Sequence, residues 1–348
     1  MAVNYWSDLP KEVLELVLKR LAFMDTVRFK AVCCSWNIAA QSYIASPFYI
    51  PSCYSPPLLM LNGQQHPGSA LRFYSVTENR YYEMKSPIFV EIQGYFHCLA
   101  SSQGWLMVSS RSLDSYSLLN PFSGVKIQLP RHRRLRTFHF LSQSALLLSD
   151  QCSPSKSLCV VAVSHGTLLF YMHGGYKHAR WTEFGEKNRE YSHITCHNGL
   201  LYALSMHACT LEAWNFRSNF PQKVLDLKYL RTMNLRNLRS YLMESMGELL
   251  LASEIIGGPG FAVFKMDFGM KRWMLMEDLW DRALFLCDKS CVSVSSRNFP
   301  EVGENLIYYI TDLNRLRVYN YKEKKLVKKT QIKIPNVGND SFWFVPSP

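Results

Sequence analysis

One local pattern recurs along most of this chain, and it constrains the fold more than any other feature of the sequence. A turn residue, Gly or Asn, is followed at once by an apolar run that is typical of a β-strand. The repeats begin at Gly104, Gly166, Gly199, Gly247 and Asn305, so their starts lie 62, 33, 48 and 58 residues apart. Irregular repeats of about 50 residues indicate propeller blades of about four strands each.

The segments after these repeats support the same interpretation. Most repeats continue into a second short strand, as at 117–119, 211–214 and 261–264, and two precede a strand that holds Trp181 or Trp273. A β-sandwich would explain the strands but not the repeated order of glycine, two strands and tryptophan. We therefore predict a mostly β chain in which 71–348 form a β-propeller of six or seven blades. The 14% content of aromatic residues suits such a core.

Two stretches interrupt the pattern. Residues 47–70 carry five prolines, which break regular elements, so we predict a linker or an extended arm there. Residues 225–246 mix the periods of helix and strand. We interpret the first part of 225–246 as a connection and 241–243 as a strand.

A small helical unit precedes the predicted propeller, in residues 1–46. Pro10 suits the first position of a helix, which would carry two neighbouring apolar stripes, 13–17–21 and 14–18–21. We predict a second helix over 26–34 with Asp25 as its N-cap. The apolar surface of the first helix is too wide for one neighbour, so we expect half of it to pack inward and half to contact a second protein. A subdomain that only caps a larger core would show the same periodicity.

The order and spacing of the apolar residues in this unit decide between these alternatives. Leu9-Pro10, Val13-Leu14, Leu18, Val27, Val32-Cys33 and Trp36 resemble the F-box, a module that docks a Skp-type adaptor and, through it, a cullin-RING ubiquitin ligase. The resemblance implies that Leu9, Pro10, Leu14, Leu18 and Trp36 lie against the adaptor. The full set of adaptor-binding residues that it implies is Trp6, Leu9, Pro10, Val13, Leu14, Val17, Leu18, Leu21, Val27, Val32 and Trp36.

The predicted propeller carries a second resemblance, to the plant KIB-type, kelch-like propeller family, whose propeller often follows an F-box. The matching segments are Gly104-Trp105, 119–124, Leu129-Pro130, 241–251, 261–285 and 343–347. The resemblance implies a propeller that recognises a protein substrate for ubiquitination. Residues 120–124 also have a purely structural interpretation as a turn, in which Pro121 fixes one φ and Gly124 permits a positive one. We favour that interpretation of the segment.

No arrangement of catalytic residues stands out in the sequence. His193 and His197 are four apart on a predicted strand, which keeps them on one face but holds the rings too far apart to chelate a metal. The HExxH, GxSxG, P-loop and GxGxxG motifs do not occur. The ten cysteines form no CxxC pair, which argues against a zinc site. We predict no catalysis, cofactor or metal; the alternative is a propeller enzyme with convergent carboxylates, histidines or metal ligands at its axis.

The chain carries a formal net charge of +12, and much of it lies in two clusters, within 131–136 and 322–329. Each cluster could serve nuclear import or bind an anion, but we favour solvated loops and an exposed hairpin. A scaffold that binds nucleic acid or another acidic partner is therefore an alternative that we do not favour.

No apolar run reaches eighteen residues and no signal pattern opens the chain. We expect no membrane partner and a location in the nucleus and/or cytoplasm.

Overall fold

The computed structural model describes most of the chain, with short gaps between the ranges. The described residues are 6–21, 23–44, 56–61, 71–84, 96–110, 115–132, 135, 145–148, 158–173, 180–218, 220–228, 239–255, 258, 260–311, 315–328 and 341–346. Among them, no helix is long and apolar enough to cross a membrane. The predicted residues Arg133, Arg134, Arg136 and Lys329, and most of 47–70, lie outside the described ranges.

Three α-helices open the described chain, and the short 3-10 helix Trp6–Asp8 precedes them. They are α1 (Lys11–Leu18), α2 (Phe23–Lys30) and α3 (Cys34–Ile44). Two predictions of helix ends are wrong. Pro10 is the N-cap of α1 rather than its first helical residue, and Asp25 lies in the first turn of α2 rather than before it. Both differences follow from the fraying and weak definition of short helix ends.

Six β-sheets follow the helices, and each is one blade of a propeller. The strands of blade I are β1 (Leu58–Leu61), β2 (Leu71–Ser75) and β3 (Arg80–Met84). The strands of blade II are β4 (Phe96–Ser102), β5 (Trp105–Ser110), β6 (Tyr116–Leu119) and β7 (Lys126–Leu129). The strands of blade III are β8 (Ala145–Leu148), β9 (Cys159–Ser164), β10 (Thr167–Met172) and β11 (Thr182–Phe184).

The second half of the ring is built in the same way. The strands of blade IV are β12 (His193–His197), β13 (Leu200–Ser205), β14 (Thr210–Asn215) and β15 (Gln222–Lys228). The strands of blade V are β16 (Ser240–Ser245), β17 (Glu248–Glu254), β18 (Phe261–Asp267) and β19 (Arg272–Leu275). The strands of blade VI are β20 (Arg282–Cys287), β21 (Ser290–Ser295), β22 (Leu306–Ile310), β23 (Leu316–Asn320) and β24 (Lys325–Lys328).

One strand from the far end of the chain completes blade I. This strand, β25 (Phe342–Phe344), pairs antiparallel with β1, so the sheet order of blade I is β25-β1-β2-β3. The innermost strands β4, β8, β12, β16, β21 and β25 contact one another in a closed ring. The structure therefore confirms a propeller of six blades and shows that the first and last strands share one of them.

The position of β1 corrects one prediction. Residues 58–61 lie inside the stretch predicted as a linker, 47–70, yet they form a fully buried strand. The prolines at 56 and 57 led to the error, although a proline just before a strand is compatible with it, because the missing N–H is then not needed in the ladder. The apolar run after these prolines is long enough for a buried strand.

Two-residue hairpin turns account for the repeated glycines. Gly104, Gly166, Gly199 and Gly247 are each the second residue of such a turn, and each has a positive φ, as has the residue before it. A type I′ turn requires positive φ at both positions, and its twist matches that of the flanking strands. In blade III the turn joins the second and third strands rather than the first and second, which explains the unequal spacings of 62 and 33 residues.

The structure confirms one prediction about residues 225–246 and corrects another. The strand at 241–243 is confirmed as part of β16, but 225–228 form the end of β15 rather than a connection. The exposed and charged residues of β15 hid its strand character, because an outermost strand buries few of its side chains.

We predict that Trp343→Ala destabilises the chain by about 3–5 kcal/mol, the usual cost of truncating a large buried aromatic side chain. Trp343 is fully buried in β25, and its Nε1 donates to the carbonyl oxygen of Leu286 at 3.2 Å. Urea unfolding followed by far-UV circular dichroism would measure the loss. The exposed Trp280 provides the control, since Trp280→Ala should cost less than about 1 kcal/mol. Equal losses in the two variants would contradict a role of Trp343 in closing the ring.

Candidate protein-docking site

The apolar surface of α1 is divided between the inside and the outside of the helical unit, as the sequence predicts. Leu14 and Leu18 are buried, with 2% and 4% of their surface exposed. Val13 and Val17, on the neighbouring stripe, are 40% and 38% exposed. The two stripes therefore serve different purposes, and only the outer one is available to another protein.

The inner stripe belongs to the core of the helical unit. Leu14 and Leu18 pack with Phe29 and Tyr43, and the partly buried Trp36 packs against Phe29 with 4.4 Å between the ring centroids and an angle of 34° between the ring planes. Leu9 and Leu21 are also packed against this core. Leu14 and Leu18, which are predicted to lie against an adaptor, are thus covered in this structure by α2 and α3 side chains of the same chain. Their contact with an adaptor stays a prediction.

The outer stripe is larger than predicted. Leu16, which is not among the predicted adaptor-binding residues, is 60% exposed and lies three residues after Val13 and one before Val17. Spacings of three and four residues place these side chains on one side of a helix. We call Val13, Leu16 and Val17 the α1 face. The spacing alone could have identified Leu16, since it completes an i, i+3, i+4 set.

Other apolar residues of the helical unit are exposed as well. Trp6, Val32 and Ile38 expose 77%, 56% and 66% of their surface, and Pro10 is also exposed. The Trp6 carbonyl oxygen accepts a hydrogen bond from Trp36 Nε1 at 3.0 Å, which ties the 3-10 helix to α3. Ile38 was missed because the sequence analysis predicted no separate third helix.

The helical unit also packs on blade I through α2. Met24 is buried in the core that blade I shares with its neighbours, and Val27 packs against the same core. Arg28 donates to Tyr82 Oη at 2.7 Å, and its guanidinium group lies 5.3 Å from the centre of the Tyr82 ring. Val27, which is predicted to bind an adaptor, is thus packed against the propeller in this structure. Val27 lies on a partly apolar stripe of α2, and the sequence does not indicate which neighbour covers that stripe.

Charged groups reinforce this contact. Arg28 is ion-paired with Asp25 in the same helix, and its distance to Glu78, in the turn between β2 and β3, is 3.6 Å. Tyr82 Oη in turn donates to Glu78. Burial and the hydrogen bond to Glu78 raise the pKa of Tyr82, so the phenol keeps its proton. The cluster holds α2 at a fixed place on blade I.

A cavity of about 150 Å³ lies at the centre of the ring, lined by residues of five of the six innermost strands or their adjoining turns. Its polar groups include Ser101, His193, Asp288, Ser290 and Cys291. The hydroxyl groups of Ser101 and Ser290 both donate to the carbonyl oxygen of Trp343, at 2.7 and 2.8 Å. These serines therefore hold the closing strand β25 in place.

His193 and Cys291 are the two cavity side chains that resemble catalytic groups, and the fold keeps both of them uncharged. Burial lowers the pKa of His193 to about 4, and its Nδ1 is buried without a hydrogen-bond partner. Burial raises the pKa of the Cys291 thiol well above its usual value, which disfavours the nucleophilic thiolate. Asp288 lies 3.8 Å from Arg239. His197, predicted not to chelate with His193, stacks on Phe268 with ring centroids 5.8 Å apart.

Blade IV carries a charge network that the sequence did not reveal. Glu212 is fully buried and accepts hydrogen bonds from Tyr191 Oη at 2.7 Å and Trp214 Nε1 at 3.1 Å. Arg189 is ion-paired with Glu212, and Lys223 lies 3.7 Å from it. These groups come from three elements of the fold, so no local motif marks them.

Two further acids complete this network. Within the described ranges, Glu186, Glu212 and Asp226 form one group of carboxylates close enough to share a metal ion. Arg189 and Lys223 bridge them, however, and bind Asp226 at 3.0 and 2.9 Å. The hydrogen bond from Lys223 lowers the pKa of Glu186. The two cations account for the closeness of the three acids, and the network joins the edge of blade IV to the segment before it.

The described part of the basic cluster, 322–328, lies on the hairpin of β23 and β24, and its residues 322–325 are exposed, as the preferred interpretation predicts for this cluster. Lys322 Nζ is 3.1 Å from Asp278, and Lys325 Nζ is 3.0 Å from Glu323. Lys324 Nζ lies 3.4 Å from the centre of the Tyr321 ring. These lysines are thus partly neutralised by neighbours rather than arranged along a single cationic surface.

Comparison with known proteins agrees with this architecture. Residues 6–44 match the F-box domain model, and residues 73–326 match the model described as KIB1-4 beta-propeller, which is more than half of the chain. In Arabidopsis thaliana, F-box protein At2g05970 is 24% identical over 98% of this chain and 96% of the relative. F-box/kelch-repeat protein KIB1 of the same organism is 25% identical over 94% of this chain and 86% of the relative.

Solved structures with similar folds are much more distant. The dihydro-heme d1 dehydrogenase NirN aligns over 87% of this chain and 76% of its own, with 9% identity and a TM-score of 0.35. A similarity of that size bears on neither the activity nor the partners of this chain.

We predict that His193 makes the stability of the propeller depend on pH. Its pKa of about 4 in the folded chain lies below the value of about 6.5 expected when unfolded. The unfolded chain therefore binds more protons between these values, so the free energy of unfolding falls as the pH drops from about 6.5 to 4, by up to roughly 3 kcal/mol. His193→Gln should remove this part of the pH dependence in urea unfolding.

The exposed His207 provides a matched control, because His207→Gln leaves the buried imidazole in place. The quantity to compare is the change in unfolding free energy between pH 7 and pH 4.5 in each variant. Equal changes in the wild type and His193→Gln would show that the axial imidazole is not held neutral by the fold.

Proposed function

The chain belongs to the KIB1-4 beta-propeller family, and on that premise we propose that it is the substrate-recognition subunit of an SCF-type cullin-RING ubiquitin ligase. The F-box, residues 6–44, docks the Skp-type adaptor, and the propeller binds the protein to be ubiquitinated. The observation that carries the proposal is the α1 face, an apolar stripe that the F-box core leaves uncovered beside a fully packed one.

The α1 face has the chemistry of an interface centre. Val13, Leu16 and Val17 are aliphatic and lie on a helix that is anchored from behind by Leu14 and Leu18. Full burial of an aliphatic side chain of this size contributes about 1.5–3 kcal/mol. A few such residues at the centre of an interface supply most of its binding energy. The face can therefore form the centre of an interface with a protein partner.

The chain acts by proximity in this proposal rather than by bond chemistry. The contact of α2 with blade I fixes the F-box on the propeller, so a bound target is held at a set position relative to the adaptor. Holding two reactants near each other raises their effective concentration. The neutral His193 and the suppressed thiolate of Cys291 support a non-catalytic role for the axial cavity. A location in the nucleus and/or cytoplasm is part of the same proposal.

A nucleic-acid partner has no comparable support. Nucleic-acid binding needs cations arranged to follow a phosphate backbone. In the described part of the cluster at 322–329, Lys322 and Lys325 each lie within ion-pair distance of an acid. The α1 face, by contrast, is apolar, and it suits a protein partner.

We predict that the double variant Leu16→Glu, Val17→Glu weakens binding of a purified Skp-type adaptor by 30-fold or more. Two aliphatic contacts worth about 1 kcal/mol each would be lost from the interface, which together correspond to about 30-fold, while glutamate remains compatible with a helix. Isothermal titration calorimetry with the full-length chain would measure the affinity. Thermal unfolding should show an unchanged midpoint, because both side chains point away from the F-box core.

Val224→Glu is the matched control, since Val224 is 51% exposed on β15 of the propeller and lies outside the F-box. It should bind the adaptor like the wild type. Unchanged affinity in the α1-face variant would refute docking through this face. Leu14→Asp would not discriminate, because it disrupts the F-box core itself.

A further inference from the structure

The end of blade V presents an apolar surface that the F-box does not explain. Met246 is 50% exposed in the turn between β16 and β17, and Phe268 and Met270 are 37% and 62% exposed in the turn between β18 and β19. We call Met246, Phe268 and Met270 the Met patch. Large apolar side chains that cluster on a surface mark sites of interaction more often than isolated ones do.

The register of blade V brings the two turns together. Leu250 pairs with Lys265 across β17 and β18, and the same register continued toward the turn places Gly247 opposite Phe268. Hydrogen bonds fix both turns: the Gly247 N–H donates to Glu244 at 2.7 Å, and the Met270 N–H donates to Asp267 at 2.9 Å. The two turns that carry the Met patch therefore lie at the same end of blade V.

Blade IV supports the Met patch from the side. Phe268 stacks on the buried His197 ring with an angle of 9° between the planes, and its ring centroid lies 5.6 Å from that of Tyr202. These contacts hold one face of Phe268 against blade IV. A surface that is already ordered before binding loses little entropy when it binds.

Met246 stands out among the first residues of the four two-residue turns with positive φ. The first residue of the two-residue turn is Gln103, His165 and Asn198 in blades II, III and IV, all of them polar, and Met246 in blade V. All four have φ between 47° and 51°, a conformation that Asn adopts readily and Met does not. Backbone strain combined with an exposed apolar side chain is typical of a position retained for binding.

The charges beside the Met patch indicate the partner. Lys271 and Arg272 follow Met270 directly, are exposed, and have no ion-pair partner within the ranges that the structure describes. The nearby Lys265, in contrast, is paired with Glu248 at 2.8 Å. Two unpaired cations next to flexible methionines suit a segment that is apolar on one side and acidic on the other.

We propose that the Met patch binds an acidic amphipathic segment of the target protein. The apolar side chains of that segment cover Met246, Phe268 and Met270, and its carboxylates pair with Lys271 and Arg272. The inference deepens the proposed function and rests on it, since it assigns the target-binding surface of the ligase subunit. Around the ring, blade V lies two blades from blade I, which carries the F-box, so adaptor and target have separate sites.

The test uses two synthetic amphipathic helical peptides that share their leucine positions. One carries glutamate on its polar side and the other lysine, and each is titrated with the full-length chain by fluorescence anisotropy. We expect the glutamate peptide to bind at least tenfold more tightly than the lysine peptide, and more weakly as salt is added. The variant Met246→Asn, Met270→Ser should weaken its binding at least tenfold, and Lys271→Glu, Arg272→Glu should reverse the preference between the peptides.

The controls separate this proposal from the F-box proposal. Met246→Asn keeps a favoured residue in the turn, so loss of binding would not reflect unfolding. Val125→Asn removes an exposed valine from blade II and should leave peptide binding unchanged. All of these variants should bind the adaptor normally, so failure of one site leaves the other testable.

Three results would overturn the proposal. The first is the absence of any preference for the glutamate peptide, and the second is full binding by the Met246→Asn, Met270→Ser variant. The third is self-association of the wild-type chain in analytical ultracentrifugation that this variant abolishes, because a second copy would then be the occupant of the Met patch.

Discussion

Closure of the ring by β25 is the interaction on which the rest of this structure depends. The pairing of Phe342–Phe344 with Leu58–Leu61 joins the two ends of the propeller within blade I. The serines of the axial cavity bind the same strand from the inside. Blade I also carries the F-box, through Met24 and Arg28. One short pairing of three residues thus connects the ring, the cavity and the helical unit.

Much of this architecture could be predicted because it depends on local chemistry. A type I′ turn needs positive φ at two successive residues, so glycines at those positions mark the hairpins of four blades. The divided stripe of α1 follows from helical spacing alone. The features that could not be predicted depend on contacts between residues far apart in the sequence. No local signal shows that 58–61 pair with a strand over 280 residues later, or that Val27 packs against the propeller.

The candidate sites show the same limit. Periodicity indicated that α1 has two apolar stripes, but it could not show that the other helices cover the stripe of Leu14 and Leu18. Met246 could not be identified from its own segment of sequence. It is unusual only in comparison with Gln103, His165 and Asn198, which hold the same position in the other two-residue turns.

The seating of α2 on blade I has a consequence for target selection. In the ligase that we propose, the helical unit is joined to the ring through α2, whose Arg28 contacts Tyr82 and Glu78 of blade I directly. The conjugating enzyme would then face a bound target from one constant direction. Which lysines of a target receive ubiquitin would be decided by the pose in which the target sits, so two targets with the same docking segment but different lysine positions would have different fates.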